Sequence, residues 1–272
     1  MIGDRCDVYV IKQGFKQLAD LMPGDRVYTL DKDVISIEPI RKVTSDFVSG
    51  IFNDIDSGQH NVMVTDDTRL LYFSQKLGYK YISFDQIPLM TANKEIVDNK
   101  YNPVLSCVAP GERNCTDEEL EYIARSVLVN YYDYDKIDTI LDRASGQDCL
   151  VLIDMLEFWC STDPGKGWFN RVQVKARCIF LKDRVIADKL LLCIVLAGYT
   201  GNYEYIKSGV VIHISFASMP IPGSRPKSEK YKKQYFTGMI YNVDAENKAI
   251  LGRSRKRVFY LPTSSILNER ND

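Results

Sequence analysis

The sequence predicts an α+β protein in which a mainly β domain, drawn from both ends of the chain, is interrupted by an α/β insert. Three observations predict it. Residues 1–110 carry short β-branched and aromatic runs broken by turn residues at a spacing of about ten residues, the rhythm of hairpin-connected strands. After Pro110-Gly111 the apolar residues recur mainly at helical spacing, as far as residue 208. From Gly209 the chain returns to strand patterns. The predicted domains are therefore residues 1–110 with 209–272, and an insert over 111–208.

In order, Asp7 to Ile11 is a β-rich run turning at Gln13-Gly14, Phe15 to Leu21 is a short helical or irregular link, and Pro23-Gly24-Asp25 is a turn feeding a strand from Arg26 to Leu30. Further strands are predicted at Ile35 to Val43, Phe47 to Ile55, Asn61 to Val64, Leu70 to Ser74, Lys80 to Ser83 and Pro88 to Thr91. In the insert, Thr116 before Asp117, Glu118 and Glu119 is an N-cap with acids in the first turn, so a helix starts near Asp117. Asp135 to Asp142 and Gln147 to Cys160 are also helical by period, and Val172 to Phe180 alternates as a strand. Lys182 to Ala197 is the clearest helix, ending at Gly198 in the C′ position. Strands follow at Val210 to Ala217, Tyr235 to Asp244 and Val258 to Leu261, and the polar residues from Asn268 read as a frayed end.

At 272 residues, 45% hydrophobic and 26% charged, the chain can bury a large core. The net charge of −1 predicts no global attraction to nucleic acid or to an anionic membrane. No apolar run is long enough to span a bilayer, so no membrane association is expected. Seven cysteines without a C-x-x-C pair and only two histidines, His60 and His213, argue against zinc, and neither a metal nor another cofactor is expected. The odd cysteine count and the lack of an N-terminal leader pattern favour a reducing, cytoplasmic setting, with most thiols packed as small hydrophobes.

The stretch from Gly14 to Thr29, including Leu18, Leu21, Gly24-Asp25 and Val27, resembles the G-x-x-x-I-x-x-L-x-x-G-D-x-V turn that follows the first strand of inteins and hedgehog autoprocessing (Hint) domains. Gly3-Asp4-Arg5 looks like that family's Gly-Asp-Thr. Met155 to Gly167, followed by Ala187 to Asn202, is similar to the remnant of a LAGLIDADG-type homing endonuclease in phage and bacterial inteins. Phe236 to Val243 resembles the Y-x-G-x-V-Y-x-V strand before the splice junction. The three islands run in the family's order, and the resemblance implies a pseudo-symmetric Hint-like β domain carrying a degenerate endonuclease insert.

The same resemblance shows what is missing. Splicing begins with a Cys or Ser nucleophile, where this chain reads Met1-Ile2-Gly3-Asp4, with Cys6 beyond the Gly-Asp element. The family's Thr-x-x-His, whose imidazole is the general acid, is matched by Thr65-Asp66-Asp67-Thr68, and a hydroxyl does not titrate in the range needed. The expected terminal His-Asn is matched by Leu261-Pro262-Thr263, and Asn268 lacks the histidine and the following nucleophile. In the insert, Asp163 fits one metal-binding acid, but Pro164 replaces the usual small residue and no second acid is found.

These losses lead to the expectation of a non-enzymatic structural or binding component of a larger assembly, with protein partners, in a phage or virus particle or in the cytoplasm. Thr65, Thr68 and Asp163 are then vestigial motif positions. Two alternatives stand beside it. One is a residual autoprocessing domain or homing endonuclease. The other is a nucleic-acid-binding accessory subunit using Arg253, Arg255, Lys256 and Arg257, supported by Lys227, Lys230, Lys232 and Lys233, although such a run also suits a solvated hairpin turn. Tyr131-Tyr132-Asp133-Tyr134 suits a contact surface.

Overall fold

A computed structural model of the chain describes residues 2–31, 34–56, 61–74, 78–83, 102–103, 112–162, 177–215, 230–247, 249–255 and 257–263. The chain is α+β, with strands outweighing helices, and divides into two compact units, Met1–Leu105 with Ser218–Asp272, and Ser106–Ala217.

The discontinuous unit is built on strands. β1 (Ile2–Gly3), β2 (Asp7–Val10) and β3 (Gly14–Gln17) come first, and β2 and β3 form a hairpin. The backbone reverses there because Lys12 and Gly14 take positive φ, 66° and 79°. The link expected from Phe15 to Leu21 is therefore half strand, and only Leu18–Asp20 makes a turn of 3-10 helix. β4 (Arg26–Asp31) and β5 (Val34–Pro39) form the next hairpin. The single strand expected from Ile35 to Val43 breaks at Ile40. Pro39 has no N–H for a ladder, and Ile40 instead donates to the Asp25 carbonyl at 2.8 Å while its own carbonyl takes Gly24 N–H at 2.8 Å.

β6 (Lys42–Asp56) then runs for 15 residues before β7 (Asn61–Val64), β8 (Arg69–Ser74), β9 (Gly78–Ser83) and the short β10 (Asn102–Pro103). The strand expected at Pro88 to Thr91 lies outside the described residues. After the insert come β14 (Lys230–Asp244), β15 (Ala249–Ser254) and β16 (Arg257–Pro262). β14 pairs with β6 along its whole length, from Lys230 opposite Asp56 to Asp244 opposite Lys42. β1, β14, β6 and β7 close on themselves as a small barrel. A second sheet places β15 between β16 and both β2 and β4, and β8 lies between β9 and β10 in a third. Alternate residues fill the core between them, with Val8, Val10, Val27, Leu30, Ile250 and Leu261 fully buried. At Gly252 the strands approach so closely that a Cβ would stand 2.8 Å from the Asp7 carbonyl oxygen and 2.3 Å from Leu261 Cδ1.

The insert unit holds the helices α1 (Asp117–Val129), α2 (Tyr134–Leu141), α3 (Gly146–Thr162) and α4 (Arg184–Leu196). α1 starts where its cap predicts. Thr116 Oγ1 accepts Glu119 N–H at 3.3 Å and the Glu119 carboxylate accepts Thr116 N–H at 2.9 Å, a complete capping box. Asp133 and Asp183 cap α2 and α4 by accepting first-turn N–H groups with their carboxylates. α4 is buried on nearly every side, so its amphipathic signal is weak although its apolar content is high. It lies on one face of an antiparallel sheet in which β13 (Gly209–Ser215) runs between β11 (Arg177–Leu181) and β12 (Thr200–Ile206). The strand beginning at Gly209 therefore pairs within the insert, which extends to Ala217 rather than residue 208. No described helix is long and apolar enough to cross a membrane.

Candidate functional site

Strand pairing brings the start of the chain beside the Thr65-x-x-Thr68 turn. Ile2 is opposite Tyr241 on one side and Val64 on the other, so Thr65 begins where β1 is clamped. The turn is closed by Thr68 N–H donating to the Thr65 carbonyl at 3.1 Å and by the two hydroxyls 2.9 Å apart. Thr68 is 2% exposed, a buried side chain bonded to its neighbour. Of the two acids between them, Asp66 is held by Asn53 Nδ2 at 2.6 Å, with Lys233 Nζ 3.7 Å away.

Cys6 is fully buried, and burial above all, followed by the Asp7 charge, pushes its thiol up to about 12 against the smaller pull of its hydrogen bond with Ser254. A thiol so held stays protonated and is no nucleophile at neutral pH. Ser254 Oγ is engaged further, accepting Asn61 N–H at 3.1 Å and donating to the Asn61 carbonyl at 2.7 Å. Asn61 Nδ2 donates to buried Asp54 at 3.0 Å, and Arg5 bonds Asn61 Oδ1 and lies 3.6 Å from Asp54. These polar groups tie β7 to β6 and β15, and their contacts account for them structurally.

The residues standing where the resemblance implies a terminal His-Asn are also structural. Leu261 is fully buried, and Thr263 Oγ1 donates to the Asn247 carbonyl at 2.8 Å. Asn247 Nδ2 in turn donates to Thr29 Oγ1 at 3.0 Å and Ser36 Oγ at 2.8 Å, and its N–H reaches Glu38 at 3.0 Å. Asn268 and Asp163 lie outside the described residues, as do Lys227, Lys256 and His60.

Among the described residues of the basic run, Arg253 does not share an outer surface with the others. Arg253 is only 8% exposed. Its guanidinium lies 2.9 Å from the Asp7 carboxylate and 4.1 Å from the centre of the Phe15 ring, so it turns inward to pin the β2–β3 hairpin. Arg255 is exposed at the β15–β16 turn with φ 53°, and Arg257 pairs by its backbone with Ser254. Lys232 is exposed on β14, as is Lys233 beside Asp66. The tyrosine run is divided in the same way: Tyr131 is 76% exposed, whereas Tyr132 donates to Asn130 at 3.2 Å and Tyr134 to Asp183 at 2.6 Å. Among the described residues no group of three or more His, Cys, Asp or Glu is arranged to hold a metal ion.

Two features were not read from the sequence. One face of the β6–β14 ribbon exposes Phe47 (71%), Ile51 (71%) and Tyr235 (68%). Ile51 and Tyr235 are direct cross-strand neighbours, and the tyrosine hydroxyl is fixed by Ser49 at 2.6 Å. The alternation Phe47, Ser49, Ile51 is visible in the sequence, but it signals a strand without saying which face meets the core. The second feature is His213, unpaired by sequence, whose ring lies between Cys178 and Glu204 in the insert. The three residues belong to three strands, and no linear motif announces them.

No protein-family model matches this chain, and no curated protein matches it.

Proposed function

We propose that the chain is a non-splicing protein of intein-like build that serves as a structural or binding component of a larger assembly, such as a phage or virus particle. The observation that carries the reading is the Thr65–Thr68 turn. It sits beside the clamped β1, where the resemblance places the machinery of the first acyl shift, and is filled by two hydroxyls bonded to each other. Proton transfer to a scissile amide needs a group that titrates near neutrality, and neither threonine does. The protonated Cys6 and the structural use of Thr263 support the same reading. The discontinuous, strand-built unit with its separate α/β insert also fits a Hint-like plan carrying an endonuclease-like remnant.

The binding half of the proposal rests on Phe47, Ile51 and Tyr235. Two aliphatic or aromatic side chains and a tyrosine, side by side on a rigid ribbon and more than two-thirds exposed, suit burial against a protein partner.

The test is the intact mass of the full chain expressed between two reporter domains and incubated with thiol and with hydroxylamine, which trap a thioester or ester. The unchanged fusion mass is expected. Cleaved or ligated reporters would overturn the reading and point to a substitute nucleophile.

A further inference from the structure

The insert's sheet has two unlike faces. Gly201 faces α4, because a Cβ there would meet Leu191 Cδ1 at 2.5 Å and Ile194 Cγ2 at 3.3 Å, and Tyr203 on the same face is 2% exposed. Asn202 and Glu204 therefore point the other way, and the register places Asn202 opposite His213 and His213 opposite Cys178. Across this second face the Cys178 Sγ lies 3.2 Å from His213 Nδ1, and His213 Nε2 lies 3.5 Å from Glu204 Oε2. The His213 side chain is 35% exposed and that of Glu204 62%, while Cys178 is half-buried. A thiol, an imidazole and a carboxylate in line, partly open to solvent, make the arrangement in which a base activates a nucleophile and a third group orients the base.

We propose that Cys178, His213 and Glu204 form a reactive-thiol site at which Cys178 exchanges with small disulfides of the glutathione class. In the exchange the Cys178 S–H bond breaks, its proton passes to His213 Nδ1, and the sulfur attacks one sulfur of the disulfide. The S–S bond of the small molecule breaks as the new mixed disulfide forms. The departing thiolate takes the proton from His213 and leaves as a thiol, so no other oxidant or reductant is needed. Glu204 acts as a positioning residue, keeping Nε2–H toward itself and Nδ1 toward the thiol. Burial pushes the Cys178 thiol up, so little free thiolate exists at neutral pH and the proton has to leave during attack, which is the step His213 serves. Among the described residues the titratable groups set against His213 are Cys178 from β11 and Glu204 from β12. The buried thiols of Cys6, Cys115, Cys149 and Cys193 have no such access. The site lies in the insert and does not depend on the proposed loss of splicing.

The test uses the full chain with Cys107→Ser and Cys160→Ser, incubated with oxidised glutathione or a chromogenic aromatic disulfide, and the modified cysteine is mapped by mass. Cys178 is expected to react well ahead of Cys193. His213→Asn should slow exchange at pH 7 by about tenfold or more. Glu204→Gln should slow it about threefold, and Glu204→Asp, which keeps the carboxylate, should restore the parent rate. Equal rates at pH 7 in the parent, His213→Asn and Glu204→Gln, or Cys193 reacting as fast as Cys178 in the parent, would overturn the proposal. Cys193 also reports whether His213→Asn still folds. If Cys193 becomes reactive in that variant, Glu204→Gln decides alone, and an unchanged rate there overturns the site.

Discussion

Asp148 organises the start of α3, and changing it to Asn tests how much a buried carboxylate does there. The side chain is fully buried. Its Oδ2 accepts the Asn114 N–H at 2.8 Å, the Ser145 N–H at 2.9 Å and the Ser145 hydroxyl at 3.0 Å, and Oδ1 takes Arg113 Nε at 3.3 Å. Ser145 Oγ accepts the Asp148 N–H at 3.1 Å, which completes a capping box with an aspartate at N3. An amide keeps the shape but has one accepting oxygen, so its NH2 must face donors on one side. With about 1.5–3 kcal/mol for each bond to a charged acceptor, Asp148→Asn should cost about 3 kcal/mol. For a unit of this size that lowers the thermal midpoint by roughly 10 °C. The described α-helices lie in the insert, so the loss of the helical far-UV signal follows that unit. The pH dependence has a definite sign. Burial would raise the Asp148 pKa, but the backbone N–H groups of Asn114 and Ser145, the Ser145 hydroxyl and Arg113 together bring it below the ordinary carboxylate value. Its stabilisation is therefore complete above the unfolded pKa of about 4 and is lost as pH falls through the lower folded value. A variant melting within about 2 °C of the parent at pH 7, or keeping the parent's full loss of stability below pH 4, would refute the reasoning.

Other expectations follow from the same contacts. Gly252→Ala should destabilise the discontinuous unit by about 2 kcal/mol or more, because one clash is with the Asp7 carbonyl, which no rotamer relieves; the far-UV unfolding transition measures it. Thr68→Val keeps the shape and removes the bond to Thr65, at a cost of about 1 kcal/mol in denaturant unfolding. Arg253→Ala should destabilise by about 1–3 kcal/mol through the lost Asp7 and Phe15 contacts, and leave retention on a heparin column unchanged, since the side chain faces inward. Replacing Phe47, Ile51 and Tyr235 by Ser, one at a time, should change stability by no more than about 0.5 kcal/mol each, because these side chains are already in water.

Local chemistry made much of the architecture legible. The Thr116 cap gave the start of α1, Gly198 in its positive-φ position (85°) gave the stop after α4, and Asn61–Val64 is a strand as its pattern says. What failed depended on which strands pair, which the local pattern does not state. The Gly14–Gln17 strand is short and polar and exists because it pairs with β2. The strand after Gly209 reads like any other, and only its pairing with β11 and β12 places it in the insert. Ala249–Ser254 was hidden because its end belongs to the basic run, and Arg253 is drawn inward by an aspartate 246 positions away. That Thr68 carries a hydroxyl that does not titrate near neutrality was legible at the residue itself, whereas Cys178, His213 and Glu204 meet only after three strands have paired.

The pairing of β6 with β14 imposes an order of events during synthesis. β6 ends at Asp56 and the first residue of its partner is Lys230, so the ribosome must make the entire insert before the ladder can begin to form. At 5–20 residues per second that delay is roughly 10 to 35 s. Throughout it the nascent chain carries a long strand with an unpaired edge and the apolar side chains of Phe47 and Ile51, the type of segment that associates with another copy of itself. Cells making this protein must therefore keep its first strands apart from one another until about the final sixth of the chain emerges.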